Sequence, residues 1–251
     1  MRRTETWQGV TTLLGLRLAA GKELLPATPW PSRKLLFIGD SVTAGEGTDR
    51  PADCVKDPPR FSNARLSYGM RLARTLDAQC HLVAFGGRGL IRDWQGRREV
   101  LTAPEFFDLA IPEEAGATPP PFDHASYVPD AVFVSLGTND FNLAIGPLPE
   151  REEFVSAYVR FVRVLRSRYP LAHVFLTEGA IVDDASDPTR KPRTTLRSYI
   201  EETIARLADP RVHDVEGVHY PGDACDAHPT GEQHRLMARD LEPILRRALG
   251  W

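Results

Sequence analysis

A run of apolar residues at positions 35–38 ends in the motif Gly39-Asp40-Ser41, and a glycine-rich turn follows it. A short continuous apolar run is typical of a strand that is buried on both faces, as in a parallel sheet covered by helices. Open α/β sheets place their ligands at the carboxyl ends of such strands. The motif therefore predicts an α/β fold with the Ser41 hydroxyl at the mouth of the sheet.

Strand-like and helix-like segments alternate from residue 34 onward, which predicts a parallel sheet with right-handed crossovers. Pro149 opens one helical pattern, and Thr230 with Gln233 forms a capping-box signature at the start of the last helix. Further helical patterns lie at residues 66–76 and 196–207. The strand candidates are residues 35–38, 81–85, 131–136, 173–177 and 212–215.

Residues 1–32 have a different pattern from the rest of the chain. Residues 11–18 contain strand-like stretches, and the prolines at 26, 29 and 31 interrupt any regular structure after them. We therefore predict a short β appendage and a proline-rich linker at residues 1–32, and a catalytic domain at residues 33–251.

Composition limits the classes of function. The chain has 251 residues, 42% hydrophobic and 26% charged content and a net charge of −3, so it lacks the basic character of a nucleic-acid-binding protein. No apolar run approaches the roughly 20 residues that a membrane span needs. No apolar stretch follows Arg2 and Arg3, which predicts no signal peptide and a cytoplasmic location. A secreted protein whose leader has been removed would look the same.

The three cysteines, Cys54, Cys80 and Cys225, are too few and too scattered for a disulfide framework or a zinc site. Cys80 begins an apolar strand and is predicted to lie in the core. Cys54 and Cys225 lie in loops beside the predicted site. They are either unrelated thiols or the two halves of one bridge.

Polar residues follow two further strands and precede the last helix. If the strands are parallel, these groups meet Ser41 at one edge of the sheet and form a site there. The groups are Gly86-Gly87-Arg88-Gly89, Gly137-Thr138-Asn139-Asp140 and Cys225-Asp226-Ala227-His228-Pro229.

The order of these blocks resembles that of the SGNH, or GDSL-type, hydrolase superfamily over residues 34–245. The resemblance implies a flavodoxin-like, three-layer α/β/α sandwich that works without a cofactor. It implies Ser41 as the nucleophile, His228 as the base, and Gly87 and Asn139, with the Ser41 backbone N–H, as oxyanion-hole donors. These residue types suit the chemistry, because a neutral imidazole of pKa about 6.5 accepts a serine proton and N–H donors stabilise the oxyanion.

Within the superfamily, the same segments are similar to the second carbohydrate esterase family, whose members remove O-acetyl groups from plant polysaccharides. The resemblance implies a serine esterase that deacetylates sugars, oligosaccharides or polysaccharides through an acyl-enzyme. Enzymes of that family carry a β-sandwich domain before the catalytic one, and residues 4–25 resemble its closing strands. Two alternatives are a short-chain lipid or aryl esterase of the same superfamily and a carbohydrate-binding protein without catalysis.

The third member of the catalytic group departs from the superfamily pattern. That pattern places an aspartate three residues before the histidine, where this chain has Cys225. Asp226, two residues before His228, resembles the aspartate of the carbohydrate esterases and is predicted to orient the imidazole. The alternative is a Ser–His dyad in which a backbone carbonyl holds the ring.

Three aromatic residues and several possible metal ligands stand close to the predicted site in the sequence. Trp94, Phe141 and Tyr220 lie in predicted loops, where their rings would either pack at the rim or stack on a sugar. Several possible metal ligands are close in sequence, but their spacing matches no zinc pattern, so no metal is predicted. They are His219, Asp223, Asp226, His228 and His234.

Overall fold

The computed structural model describes residues 2–3, 13–51, 61–111 and 119–251. Within these ranges the strands are β1 (Arg2–Arg3), β2 (Arg33–Gly39), β3 (Ala78–Ala84), β4 (Ala131–Ser135), β5 (His173–Thr177) and β6 (Val212–Asp214). The α-helices are α1 (Ser41–Ala44), α2 (Tyr68–Thr75), α3 (Ala103–Phe106), α4 (Arg151–Arg168), α5 (Pro192–Leu207) and α6 (Gly231–Leu249). Short 3₁₀ turns lie at Ala64–Leu66, His124–Ser126 and Leu143–Ile145.

All described strands belong to one parallel sheet in the order β1-β3-β2-β4-β5-β6. Strand β2 lies between β3 and β4. The chain therefore passes from β2 to β3 on one side, and then crosses to the other side of β2 to form β4, β5 and β6 in order. In open α/β sheets a ligand crevice forms where the strand order reverses in this way. The loops after β2 and β4, which carry Ser41 and Asn139, meet at that position.

Helices cover both faces of the sheet. In β2, Leu35 and Phe37 belong to one buried cluster with residues of α2 and α6. Leu36 and Ile38 belong to a second cluster with residues of α4 and α5. Alternate residues of a strand point to opposite faces, so this division explains why all four are apolar. The predicted three-layer α/β/α sandwich is confirmed.

The N-terminal region differs from the prediction. Residues 13–18 form no strand and their leucines are exposed, with Leu14 94% exposed. Residues 11 and 12 lie outside the described ranges. Strand β1 pairs in parallel with β3 and so extends the main sheet. The strand prediction is wrong for residues 13–18. Leucines alone can give a strand-like pattern, but a strand also needs a neighbouring strand that pairs with its backbone N–H and C=O groups. The boundary between residues 32 and 33 stays a prediction.

The other elements lie close to their predicted positions. The capping box of α6 is present: Thr230 Oγ1 accepts the Gln233 N–H at 3.3 Å, and the Gln233 side chain accepts the Thr230 N–H at 3.0 Å. Every helix in the described ranges is too short or too polar to cross a bilayer.

Candidate active site

The turn after β2 fixes the position of Ser41. Asp40 has extended backbone angles, and its Oδ1 accepts the Val42 N–H at 3.0 Å, so it acts as the N-cap of α1. A short carboxylate suits this position because the first N–H groups of a helix have no partner within the helix. Helix α1 therefore begins at Ser41, which lies at the carboxyl edge of the sheet and is 8% exposed.

Ser41, His228 and Asp226 form one hydrogen-bonded chain. Ser41 Oγ lies 2.9 Å from His228 Nε2, although 187 positions separate the two residues in the sequence. On the other side of the ring, His228 Nδ1 lies 3.1 Å from Asp226 Oδ1. Both distances are within the range that nucleophile–base pairs require. Asp226 thus reaches the imidazole, and the geometry favours the triad arrangement over a dyad with a backbone carbonyl.

The two predicted oxyanion donors lie in the neighbouring loops. The Asn139 amide is buried, donates to the Arg88 carbonyl at 2.9 Å and lies 3.4 Å from Asp40 Oδ2. Gly87 has a φ of +74°, and a Cβ there would lie 2.6 Å from Trp94 Cδ1. Only glycine fits this backbone beneath an indole ring. The loops after β3 and β4 therefore converge on the turn that carries Ser41.

The charges around His228 favour its protonated form. Burial lowers the pKa of His228, but the hydrogen bond to Asp226 and the charges of Glu46, Asp226 and Asp40 outweigh it, and the pKa is raised overall. The hydrogen bond from His228 holds the pKa of Asp226 at about 2. Burial raises the pKa of Asp40 to about 6, against the opposing effect of the Val42 N–H. Asp226 is therefore ionised at neutral pH and stabilises an imidazolium.

If His228 is the base, kcat/KM for ester hydrolysis should rise with pH along a limb whose apparent pKa exceeds 6.5, the ordinary value for histidine. The base must be neutral, and its pKa is raised. Glu46→Gln removes a negative charge near the ring and should move this limb to lower pH. A pH series of kcat/KM for both proteins measures the shift. A wild-type limb below the ordinary histidine value, or an unchanged limb in the variant, would contradict the assignment.

Two of the three predicted aromatic contacts are not at the site. Phe141 is 2% exposed, and its ring packs edge-on against Phe154 and Tyr199 at centroid distances of 5.3 and 5.8 Å. Tyr220 is 8% exposed, and its hydroxyl donates to Asp240 of α6. The sugar-stacking prediction is wrong for both residues, because their loops turn these rings back into the two cores on either side of the sheet.

Phe141→Ala is therefore expected to lower the free energy of unfolding by about 3–5 kcal/mol, because it removes a buried ring and leaves a cavity. Leu171→Ala is the control, since Leu171 is 76% exposed and its truncation should change stability by less than about 0.5 kcal/mol. Urea denaturation followed by circular dichroism measures both. A Phe141 variant as stable as the control would place the ring outside the core.

Trp94 lies beside the loop that carries Gly87. It is 52% exposed, its backbone N–H donates to the Gly87 carbonyl at 2.9 Å, and its ring lies 2.6 Å from where a Cβ at Gly87 would be. Its indole therefore borders the loop of a predicted oxyanion donor. A role in sugar binding stays a prediction.

Two charged residues at the site were not predicted from the sequence. Glu46 Oε2 lies 3.7 Å from His228 Nε2. The Arg50 side chain is 4% exposed and lies 3.1 Å from Asp226 Oδ2 and 3.0 Å from Asp223 Oδ1. Glu46 lies between two glycines of the predicted turn, which is a weak signal. Nothing in the sequence distinguishes Arg50 from other loop arginines.

The possible metal ligands divide into separate environments. Among the described residues, Glu46, Asp226 and His228 are the group close enough to share an ion, with ligand atoms within 4.8 Å of one another. His228 and Asp226 already belong to the chain that ends at Ser41, so an ion there would compete with the serine. His234 lies elsewhere and accepts the Tyr68 N–H at 3.1 Å. His219 lies 3.8 Å from Asp183.

The cysteines also differ in environment. Cys80 lies buried in β3, as predicted, and burial raises the pKa of its thiol to about 12. Cys225 is disulfide-bonded. Cys54 lies outside the described residues, so the bridge between Cys54 and Cys225 stays a prediction.

Comparison with known proteins identifies the family. The model of the GDSL-like lipase/acylhydrolase family matches residues 37–241, which include all four polar blocks. The chain belongs to this family. An acetylxylan esterase/glucomannan deacetylase of Cellvibrio japonicus is 44% identical over 251 residues, which are 100% of this chain and 66% of that protein. The cellulase/esterase CelE of Acetivibrio thermocellus is 31% identical over 257 residues, which cover 100% of this chain and 30% of that protein.

Two solved structures of carbohydrate esterases are similar to this chain in fold and sequence. A family two carbohydrate esterase from Cellvibrio japonicus has a TM-score of 0.82 and 44% identity, and the match covers 90% of this chain and 64% of that one. A family two carbohydrate esterase from Clostridium thermocellum, in complex with cellohexaose, has a TM-score of 0.80 and 29% identity, covering 91% of this chain and 68% of that one. This chain thus spans about two thirds of the length of the Cellvibrio japonicus and Clostridium thermocellum esterases and 30% of the length of CelE.

Proposed function

We propose that this protein is a serine esterase that removes O-acetyl groups from sugars, oligosaccharides or polysaccharides through an acyl-enzyme intermediate. The observation that carries the proposal is the hydrogen-bonded chain Ser41–His228–Asp226 at the edge of the sheet. The relative named as an acetylxylan esterase/glucomannan deacetylase supports an acetylated carbohydrate as the substrate.

The reaction begins when Ser41 Oγ attacks the carbonyl carbon of the acetyl group and His228 Nε2 takes the serine proton. The negative charge moves to the carbonyl oxygen, where the Asn139 amide and the backbone N–H groups of Gly87 and Ser41 are the proposed donors. When the intermediate collapses, the bond to the sugar oxygen breaks and His228 returns its proton to that oxygen. The sugar leaves and Ser41 carries the acetyl group.

Water completes the cycle. His228 removes a proton from a water molecule, the resulting hydroxide attacks the acetyl carbonyl carbon, and acetate leaves as Ser41 recovers its proton. Asp226 accepts a hydrogen bond from Nδ1 throughout and stabilises the imidazolium of each step. No cofactor takes part in this scheme.

Acetate release from acetylated xylan, acetylated glucomannan and small acetylated sugars tests the substrate class. A series of p-nitrophenyl esters from acetate to octanoate tests the acyl group. The proposal predicts release from at least one carbohydrate and the highest kcat/KM for the acetate ester. A clear preference for butyrate or longer chains would favour a lipid or aryl esterase instead. Binding of the carbohydrates without turnover of any ester would favour a non-catalytic carbohydrate-binding protein.

A further inference from the structure

We propose that Arg50 is a positioning residue that holds Asp226 and the loop of His228 against the turn carrying Ser41. The proposal rests on the proposed function and adds to it a residue that orients the catalytic pair without touching substrate. It follows from the contacts between Arg50 and residues 223–228, which are separated from it by more than 170 positions in the sequence.

Arg50 contacts the 223–228 loop at three points. Its Nη1 lies 3.1 Å from Asp226 Oδ2, and its Nη2 lies 3.0 Å from Asp223 Oδ1 and 3.3 Å from the His228 carbonyl. The Arg50 side chain is 4% exposed, and the side chains of Asp226 and Asp223 are 27% and 39% exposed, so water reaches these contacts mainly from the side of the carboxylates. A guanidinium has several donors fixed in one plane, which lets it serve several acceptors at once.

The contact with Asp226 uses the oxygen that the imidazole leaves open. Asp226 Oδ1 faces His228 Nδ1 and Oδ2 faces Arg50. A carboxylate held at both oxygens cannot rotate without losing one contact, so the angle that it presents to the ring is fixed. Supporting hydrogen bonds of this kind hold a catalytic side chain in its productive geometry.

Asp223 extends the same arrangement into the backbone. Its Oδ1 accepts the Cys225 N–H at 2.9 Å and the Asp226 N–H at 3.2 Å as well as the Arg50 contact. The turn that leads into Asp226 is therefore shaped around the same carboxylate. Arg50 thus binds both the side chain of Asp226 and the turn that carries it.

The two loops also fit closely against each other. A Cβ at Gly47 would lie 3.2 Å from His228 Cβ and 3.1 Å from the Pro229 carbonyl. Arg50 follows this contact by three residues and belongs to the same loop as the nucleophile turn. It therefore connects the loop of the nucleophile to the loop of the base, and a displacement of about 1 Å in such a pair costs about 100-fold in rate.

Arg50→Gln tests the proposal, with Arg235→Gln as the matched control because Arg235 is 52% exposed and pairs with Glu232 on the surface of α6. Arg50→Gln should lower kcat for p-nitrophenyl acetate by about 10- to 100-fold and change KM by less than about threefold. The control should retain wild-type kcat. A kcat within about twofold of wild type in Arg50→Gln would overturn the proposal.

A double-mutant cycle separates positioning from a general loss of structure. If Arg50 acts through Asp226, Arg50→Gln should cost less than about threefold in an Asp226→Asn background. Full additivity would overturn the proposal. Arg50→Lys covers the case in which Arg50→Gln does not fold. A lysine keeps the positive charge but lacks the planar set of N–H donors of a guanidinium. An intermediate kcat therefore supports the proposal, and a wild-type kcat overturns it.

The pKa of His228, measured by NMR titration of the imidazole, is independent of turnover. Asp226, Glu46 and Asp40 are the negative groups near the ring. If Arg50 positions Asp226, its loss weakens the bond to Nδ1 and should lower the pKa of His228. Removal of a positive charge alone would raise that pKa, so a rise or no change overturns the proposal. A wild type that hydrolyses no ester would refute the proposed function, whereas this titration would still test Arg50.

Discussion

Ser41→Ala is expected to lower kcat for acetyl ester hydrolysis by about 10⁴- to 10⁶-fold. The variant removes the atom that forms the acyl-enzyme, and no other hydroxyl is placed 2.9 Å from His228 Nε2 within the described residues. The remaining activity would come from the oxyanion donors acting on bound water. Burst and steady-state kinetics with p-nitrophenyl acetate measure the loss.

Ser156→Ala is the control for this experiment. Ser156 lies on α4 and its hydroxyl donates to Glu152 at 2.5 Å, so it is a serine in an ordinary helical setting. It should retain wild-type kcat, and both variants should melt within a few degrees of the wild type. A Ser41 variant that keeps more than about one per cent of wild-type kcat would refute the nucleophile assignment, given the size of loss that such substitutions cause.

Asp226→Asn is expected to lower kcat by about 10²- to 10⁴-fold. An amide nitrogen at the position of Oδ1 would donate toward His228 Nδ1, which favours the tautomer that holds its proton on Nε2. That tautomer cannot accept the Ser41 proton. The substitution also removes the carboxylate that stabilises the imidazolium. Steady-state kinetics of the acetate ester across pH separates these losses from a shift in the pH limb.

Asp123→Asn is the matched control. Asp123 is exposed and its side chain accepts the Ala125 N–H at 3.0 Å at the start of a short 3₁₀ turn, where asparagine caps as well as aspartate. It should leave kcat unchanged. A loss of less than about tenfold in Asp226→Asn would favour the Ser–His dyad, in which a backbone carbonyl holds the ring.

The sheet could be predicted because its signals are local. Each strand near the centre of the sheet is a short apolar run, and β2 is apolar on both faces because helices cover both. Residues 13–18 carry a comparable apolar pattern and form no strand. A strand depends on a neighbour that accepts its hydrogen bonds, and the identity of that neighbour is not a property of the segment itself.

The candidate site was predictable as far as its residues follow strand ends. Ser41 and Asn139 stand just after the carboxyl ends of β2 and β4, and His228 stands just before α6, so the order of the elements sets their positions. Arg50 was not predictable, because its importance comes from a contact with Asp226 across the fold. Phe141 was misplaced because loop residues can point into the core as easily as outward, and only packing decides between the two directions.

The separation of Ser41 and His228 in the sequence also has a consequence for protein synthesis. The nucleophile and its strand leave the ribosome before the imidazole, which follows 187 residues later, just before α6. Release or stalling before that point yields a chain that holds most of the sheet and lacks the base. Enzyme activity in a translation reaction would therefore report synthesis through His228 and its docking beside Ser41 rather than formation of the sheet.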